Sequence, residues 1–439
     1  MLVNTPIRLV ETDGVTVELG MLESGTHDSD RARLEVELLE AAYACGRSLQ
    51  KDLFLPHVAT MSAELADRLF TRVWKPGECT RFAVQEPKLR EVIAPAFADR
   101  VVESWLVTLA ETALDRLFIE DSYANRKGKG TLAAVLKAQQ CMRKPGNAFC
   151  LQLDVRSFFY SIHRPTLLRD WLKFLRGLSL SAHRLALAEH VSSALLTRVP
   201  KENFRTVRSS RSLLMALPVH KSLLHASPDT GLPIGSAASQ YFANFYLNGL
   251  DHFVKHELRI KSYLRYMDDL LLFGLDSAVL MRQKDAIAGY LHDRLRLLLH
   301  PAKTLLSKSS QGIEYLGYRV YPHYLHPCSR TISALKARLD FFKHLFWPER
   351  FPVCQKPLRG VWQGLARNGE LRPPVTPNWL LLKRMEATIN CYYGIMGHAK
   401  SYTLRKTLYH KHFGPLKKFF IPADAGYSAI HAKKYLLYQ

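Results

Sequence analysis

Residues 263–274 narrow the possible folds more than any other stretch of the chain. Two apolar β-type runs, YLRY and LLLFG, flank the turn Met267-Asp268-Asp269, and the whole reads as a hairpin. Paired acids at a turn are ordinarily solvated, because Asp favours turns. A second acid stands in the same setting, however. Asp154 ends the apolar run CLQL and is followed by VRSFFYSI. A carboxylate at the end of a buried strand must meet a cation or a hydrogen-bond network. The two sites lie 114 residues apart in the chain, and an antiparallel sheet can bring them together. Converged, they would hold two Mg²⁺ ions about 3.5–4 Å apart, the clamp for in-line phosphoryl transfer. Mg²⁺ suits so sparse a set of oxygens because it keeps waters and substrate phosphates as its other ligands.

Composition agrees with such a target. Lys and Arg number 61 against 39 Asp and Glu, a formal charge of +22. That excess points to a polyanion, nucleic acid being the commonest, although a ribosome-bound or membrane-surface protein gives the same arithmetic. With 47% hydrophobic and 23% charged residues, wholesale disorder is excluded. At 439 residues the chain has room for two to four structural units. Its seven cysteines (Cys45, Cys79, Cys141, Cys150, Cys328, Cys354 and Cys391) form no CxxC pair. Zinc ribbons and a disulfide framework are therefore not expected, and reduced thiols in a cytoplasm fit best. The N-terminus lacks the pattern of a secretion signal, and no run of about 18 apolar residues is present to span a membrane.

Along the chain, residues 1–30 read as a polar arm. Helical periodicity follows to about Thr71 (Leu34, Leu38, Leu39, Ala42, then Met61, Leu65, Leu69). The runs RFAV and REVI around Glu86-Pro87-Lys88 read as strands, and Ala98–Phe118 as an amphipathic helix. Leu151–Ile162 reads as a strand entering a helix or turn, and Glu314–Val320 as a further β-type segment. Beyond Thr331 the chain turns helical and basic around a Pro-rich link from Pro348 to Pro377. Arg198, Lys201, Arg205, Arg208, Arg211 and Lys221 make one basic stretch. Arg405, Lys406, Lys411, Lys417 and Lys418, interleaved with Tyr402, Tyr409, Phe413 and Phe419, make another. Basic residues with interspersed aromatics suit a groove that tracks a nucleic-acid backbone.

The YMDD tip and the upstream LDVRSFFYSI segment resemble the palm of reverse transcriptases. Further pieces fall in the same order. EPKLREVIAPAFADRV (86–101) and SYANRKGKGT (122–131) resemble two fingers motifs. GLPIGSAASQYFANFYLNGLDHFV (231–254), HPAKT (300–304) and EYLGYRV (314–320) resemble the remaining palm motifs. The resemblance implies an α+β right-hand polymerase. Its parts would be an N-terminal arm and helical lead-in (1–78), fingers (79–150), a palm (151–325) with an inserted basic segment (about 163–230), and a helical thumb (326–439). It implies that Asp154 and Asp268 hold two Mg²⁺ ions, or Mn²⁺ in their place, with Asp269 and the Val155 carbonyl assisting. Lys88 and Arg90 would neutralise the incoming triphosphate, and Lys303 would stand by the leaving group. Phe159 would exclude a 2′-OH, so that deoxynucleotides are selected. Gln240 would lie by the nucleotide. Gly235, Ser239, Tyr266, Met267, Leu316 and Gly317 would meet the template–primer.

Within that family, the IGxxxSQ segment (Ile234 to Gln240) and GHAKSYTLRKTLY (397–409) resemble the enzymes of diversity-generating retroelements. Those enzymes copy a template RNA into cDNA with errors at adenines and work with a small basic accessory protein. The partners so implied are template RNA, an RNA–DNA hybrid, dNTPs and an accessory protein oligomer, without a membrane. Ser236-Ala237-Ala238 departs from the bulkier or hydrogen-bonding residues usual there. An antiviral-defence reverse transcriptase remains an alternative, and a catalytically inactive RNA-binding scaffold another.

Overall fold

The computed structural model describes residues 26–46, 51–84, 88–198, 204–207, 211–352 and 373–433. Most of the polar arm, Glu86-Pro87, Lys201, Arg208, Cys354 and the greater part of the Pro-rich link lie outside the described residues, as do the side chains of Arg205 and Arg211. Helices α1 (Thr26–Gly46) and α2 (Lys51–Phe70) bury Leu34, Leu38, Ala42, Leu65 and Leu69, the apolar stripe that the spacing predicts. They are built into the body of the protein rather than leading up to it. Glu37 of α1 accepts a hydrogen bond from Trp105 Nε1 at 2.9 Å and pairs with Arg184 at 2.8 Å.

Strands β1 (Cys79–Val84) and β2 (Arg90–Ala94) form an antiparallel hairpin, followed by α3 (Phe97–Leu117) and α4 (Thr131–Met142). After β3 (Phe149–Asp154) come the single turn α5 (Phe158–Ser161) and helices α6 (Arg164–Arg176) and α7 (Ala182–Thr197). The sequence reading treats 163–230 as an inserted basic segment, yet α6 and α7 belong to the core. Leu167, Trp171, Leu175, Leu187 and Val191 are buried, and Trp171 packs edge-on against Phe242 and Phe245. Net charge had masked one apolar face on each helix. The segment then returns to the first hairpin, where β4 (Phe204–Val207) pairs parallel with β1, and continues through α8 (Arg211–Met215).

Next come α9 (Ala237–Tyr246), α10 (Asn248–His252), β5 (Tyr263–Tyr266), β6 (Asp269–Gly274), α11 (Ser277–Leu295) and β7 (Leu305–Lys308). Strands β5-β6-β3-β7 make a four-stranded antiparallel sheet in that order. One face (Leu151, Leu153, Tyr263, Leu270, Leu272) packs into the main helical core. The other (Cys150, Leu264, Leu271, Phe273) packs on a small sheet of β8 (Ile313–Tyr315), β9 (Tyr318–Val320) and β10 (Leu325–Pro327). Burial on both faces explains why β3 and β6 read as unbroken apolar runs rather than alternating ones. The β-type segment 314–320 is in fact a hairpin, broken at Leu316-Gly317, and its third strand runs on to Pro327.

A second core gathers around α12 (Ser329–Phe346), α13 (Trp379–Gly397) and α14 (Tyr402–Thr407), with Leu339, Phe342, Met385, Ile389 and Tyr393 buried. This region is not wholly helical. Strands β11 (Phe420–Pro422) and β12 (Ile430–Ala432) close it as a two-stranded sheet. Three-residue strands carry too little periodicity to be seen in sequence. Among the described residues, no helix is long and apolar enough to cross a membrane.

Candidate active site

The register of the four-stranded sheet brings the acids together. Asp154 is paired with Asp269 across β3 and β6, and Tyr266 with Asp269 across β5 and β6, so the β5–β6 turn is Met267-Asp268. Opposed residues share a face of the sheet. The carboxylates of Asp154 and Asp269 therefore project on the side of the β8–β9 hairpin. The turn is fixed from the neighbouring strand, where the Val155 N–H donates to the Asp268 carbonyl at 3.2 Å.

The electrostatics fit a cation. Desolvation, with the charge of Asp154 second, pushes the Asp268 carboxyl up to about 6. Desolvation and the charges of Asp268 and Asp154 push Asp269 up to about 7. Three acids held this close favour protons or metal over free carboxylates. Lys303 Nζ lies 2.5 Å from Asp154 Oδ2 and neutralises part of that charge. Among the described residues, no group of three or more His, Cys, Asp or Glu side chains is placed to hold a metal ion by itself. An open group of carboxylates without thiol or imidazole suits a hard ion that takes its remaining ligands from water and phosphate.

Strain concentrates at the same place. Ser157, Met267 and Leu316 all take left-handed backbone angles (φ of 48°, 55° and 46°) and lie on the three turns beside the acids. Non-glycine residues avoid this region unless the surroundings enforce it, and such positions gather at functional sites. In the β8–β9 turn, Leu316 and Gly317 (φ 92°) are both left-handed, as a two-residue hairpin with native twist requires. Gln152 Nε2, on the face of Asp154, donates to the Glu314 carbonyl at 3.0 Å and ties this hairpin to the sheet.

The other expected residues fall into two groups. Lys88 and Arg90 are exposed on the β1–β2 hairpin, close enough to act on Asp269 and Asp268 respectively. Phe158 is buried in the core, whereas Phe159 is half-buried and meets it edge-on at 5.6 Å, so the two rings divide packing from exposure. Gln240 is exposed and its carbonyl accepts from Asn125 Nδ2 at 3.4 Å. The Tyr266 hydroxyl accepts from Thr131 Oγ1 at 3.3 Å. Gly235 and Ser239 serve packing directly. A Cβ on Gly235 (φ 125°) would sit 2.7 Å from the Ile93 carbonyl oxygen, and the Ile93 N–H donates to the Ile234 carbonyl at 2.7 Å. Ser239 is buried, its N–H capped by Ser236 Oγ at 3.1 Å.

Two residues with no assignment in the sequence reading support the acidic turn from below. Arg265 is fully buried, pairs with Asp251 at 2.5 Å, and donates to the carbonyl of Met267 at 3.2 Å and to Asn244 Oδ1 at 2.7 Å. The signal was a lone Arg inside the apolar run YLRY, whose partner could not be read from spacing.

With this geometry in hand, comparison with known proteins decides the family. Residues 75–320, more than half of the chain, match the family described as reverse transcriptase (RNA-dependent DNA polymerase). The chain belongs to the reverse transcriptase family. Its mixed helices and antiparallel sheets are the reverse transcriptase fold of that family. No curated protein matches the sequence. Among solved structures, telomerase from Candida albicans in complex with a fragment of telomeric RNA is similar at 12% identity and a TM-score of 0.42, over 77% of this chain and 60% of that one. Apo telomerase from Candida tropicalis, truncated from its C-terminal domain, is similar at 11% identity and a TM-score of 0.40, over 62% of this chain and 60% of that one. The chain thus spans about three fifths of the length of these two structures.

Proposed function

We propose that the protein is an RNA-directed DNA polymerase that copies a template RNA into cDNA by two-metal nucleotidyl transfer, and that it is the adenine-mutagenic enzyme of a diversity-generating retroelement. The observation that carries the polymerase reading is the pairing of Asp154 with Asp269, with Asp268 on the adjoining turn, within the segment that matches the family. Asp154 and Asp268 are the residues suited to hold Mg²⁺, with Asp269 in support. The bound ions supply charge neutralisation for an in-line displacement at the α-phosphate. Lys303 stands beside Asp154, where its ammonium can donate to the departing diphosphate. Lys88 and Arg90 face the triphosphate from the fingers, and Phe159 presents its exposed edge to the sugar. Gly235, Ser239 and Gln240 set the floor beneath the nascent pair, and the Met267 and Leu316-Gly317 turns carry the primer end. The +22 charge suits an RNA–DNA hybrid. The subtype rests on the IGxxxSQ segment and brings with it a small basic accessory protein as partner.

Primer extension by the purified protein on a defined RNA, with deep sequencing of the cDNA, tests both levels. Synthesis that vanishes in Asp268→Ala supports the polymerase; synthesis unchanged in that variant overturns the two-metal assignment. Errors concentrated opposite template adenines support the diversity-generating subtype. Even, low errors or an untemplated product retain the polymerase and move it to an antiviral-defence or other retroelement role.

A further inference from the structure

The turn Val219–His225 lies in the basic segment after α7, whose Lys221 the sequence assigns only to a stretch suited to a nucleic-acid backbone, yet it is clamped onto the fingers. Glu91 of β2 is 1% exposed and makes the clamp. Its Oε1 accepts from Arg81 Nε at 2.6 Å and from Ser222 Oγ at 2.9 Å, and its Oε2 accepts from the Leu223 N–H at 2.6 Å. A buried carboxylate satisfied at both oxygens holds its partners in one geometry. Successive strand residues point to opposite sides. With Glu91 turned inward to the clamp, its neighbour Arg90 is exposed on the outside.

Lys221 directly precedes Ser222 in the clamped turn. Partial burial and the nearby positive charges of Lys303, Lys221 and Arg330 push the Lys88 ammonium below its ordinary value, so these four cations share one neighbourhood beside Asp154. Among the described residues, Lys88, Lys221 and Arg330 have no ion-pair partner, and Lys303 is paired only with Asp154. Asp154 is the counter-charge shared by Lys303 and Lys88, and gathering four cations around so little negative charge is unfavourable. A multiply charged anion would relieve that repulsion.

Building on the polymerase reading, we propose that the clamped turn forms a third wall of the nucleotide site, in which Lys221 contacts the phosphates of the incoming deoxynucleoside triphosphate and Glu91 is the residue that positions it. Lys221 meets the phosphates as a point charge opposite Lys88 and Arg90. Glu91 touches no substrate and acts through Ser222 and Leu223.

Steady-state primer extension by the full chain tests this. Lys221→Ala should raise the KM for dNTP about tenfold or more, the loss of one charge-assisted contact, with kcat, the RNA dissociation constant and Tm near wild type. Lys221→Arg should restore most of the KM. Glu91→Gln should raise KM in the same direction, and Lys221→Ala should then add little to it. Equilibrium binding of dGTP to the protein–RNA–primer complex, read by fluorescence, makes the same comparison without turnover, so a slow chemical step does not obscure it, and the Tm reports any fold defect. An unchanged KM and dGTP affinity in Lys221→Ala overturns the inference while wild-type extension leaves the polymerase reading intact. A matching loss of RNA affinity also overturns it, by assigning Lys221 to the template. Failure of the polymerase reading looks different: wild-type protein makes no DNA, or Asp268→Ala makes as much as wild type.

Discussion

Asp154 and Asp269 stand directly opposite one another on neighbouring antiparallel strands, so two acids share one face of the four-stranded sheet with nothing but Lys303 paired to either among the described residues. Without metal this arrangement is unfavourable, and desolvation and mutual repulsion hold Asp269 up to about 7. Asp269→Asn should therefore have an unchanged or higher Tm in EDTA at pH 8, while DNA synthesis falls by orders of magnitude. Adding Mg²⁺ should raise the Tm of wild type more than that of the variant, because binding to the native state stabilises it. Thermal melts with and without Mg²⁺ check the first claim and primer extension the second. A variant that is less stable in EDTA would show that Asp269 holds the fold by its own hydrogen bonds.

Arg265 and Asp251 make a pair of the opposite kind, since both are fully buried and fully compensated. Breaking such a pair leaves a bare charge in the core and costs about 3–5 kcal/mol. Asp251→Ala should show a loss of that size in urea unfolding. A double replacement by apolar residues of similar volume, Arg265→Met with Asp251→Leu, should recover most of the stability. It should not recover activity, because the Met267 carbonyl loses the guanidinium that holds the acidic turn. Full activity in the refolded double variant would reduce the network to a purely structural role.

Legibility in the sequence followed chemistry more closely than charge. The acidic hairpin, β3 with Asp154 at its end, the β1–β2 hairpin and α3 all lie where apolar periodicity places them, because buried strands and amphipathic helices leave a pattern. The support of the site left none. Glu91, Asp251 and Arg265 are single charged residues in ordinary surroundings, and their partners are 131, 14 and 21 residues away in the contacts that matter. Helices α6 and α7 were hidden in a stretch read for its positive charge, though Trp171 and Leu175 line the core. The left-handed angles at Met267 and Leu316 were equally unreadable, since neither residue type announces a turn of that kind.

The two phenylalanines after β3 separate cleanly. Phe158 is 2% exposed, whereas Phe159 keeps an open edge and its carbonyl accepts from the Leu232 N–H at 2.7 Å, which fixes the backbone beneath the ring. Phe159→Ala should therefore leave the fold intact and raise ribonucleotide incorporation relative to deoxynucleotide by on the order of tenfold or more, the scale for a steric contact removed from a shaped pocket. Phe158→Ala should instead destabilise by about 3–5 kcal/mol. Competition assays with mixed dNTP and rNTP, beside urea melts, distinguish the two. Unchanged discrimination in Phe159→Ala would remove the steric role from that ring.

Glu103 of α3 gives the clearest pH dependence outside the acidic turn. It is 2% exposed and accepts from Ser236 Oγ at 2.8 Å, while Ser236 caps the helix that carries Ser239 and Gln240. Desolvation raises its carboxyl from 4.5 to about 7, against the opposing pull of Ser236 and the α9 backbone N–H groups, with Asp99 adding a like charge. Arg164 and Arg198 line the same small cavity. A raised native value means that the fold prefers the protonated form. The stability that this preference contributes is complete below about pH 4.5 and is lost as pH rises through about 7, in total about 3 kcal/mol at most. Glu103→Gln stays neutral throughout. Its unfolding free energy should therefore gain on that of wild type from pH 5 to pH 8, while Asp268 and Asp269 titrate alike in both proteins and cancel in the difference. Urea unfolding across that range measures the gap. A gap that stays constant with pH would show that Glu103 is ionised in the native protein and is held by Ser236 and the helix N-terminus.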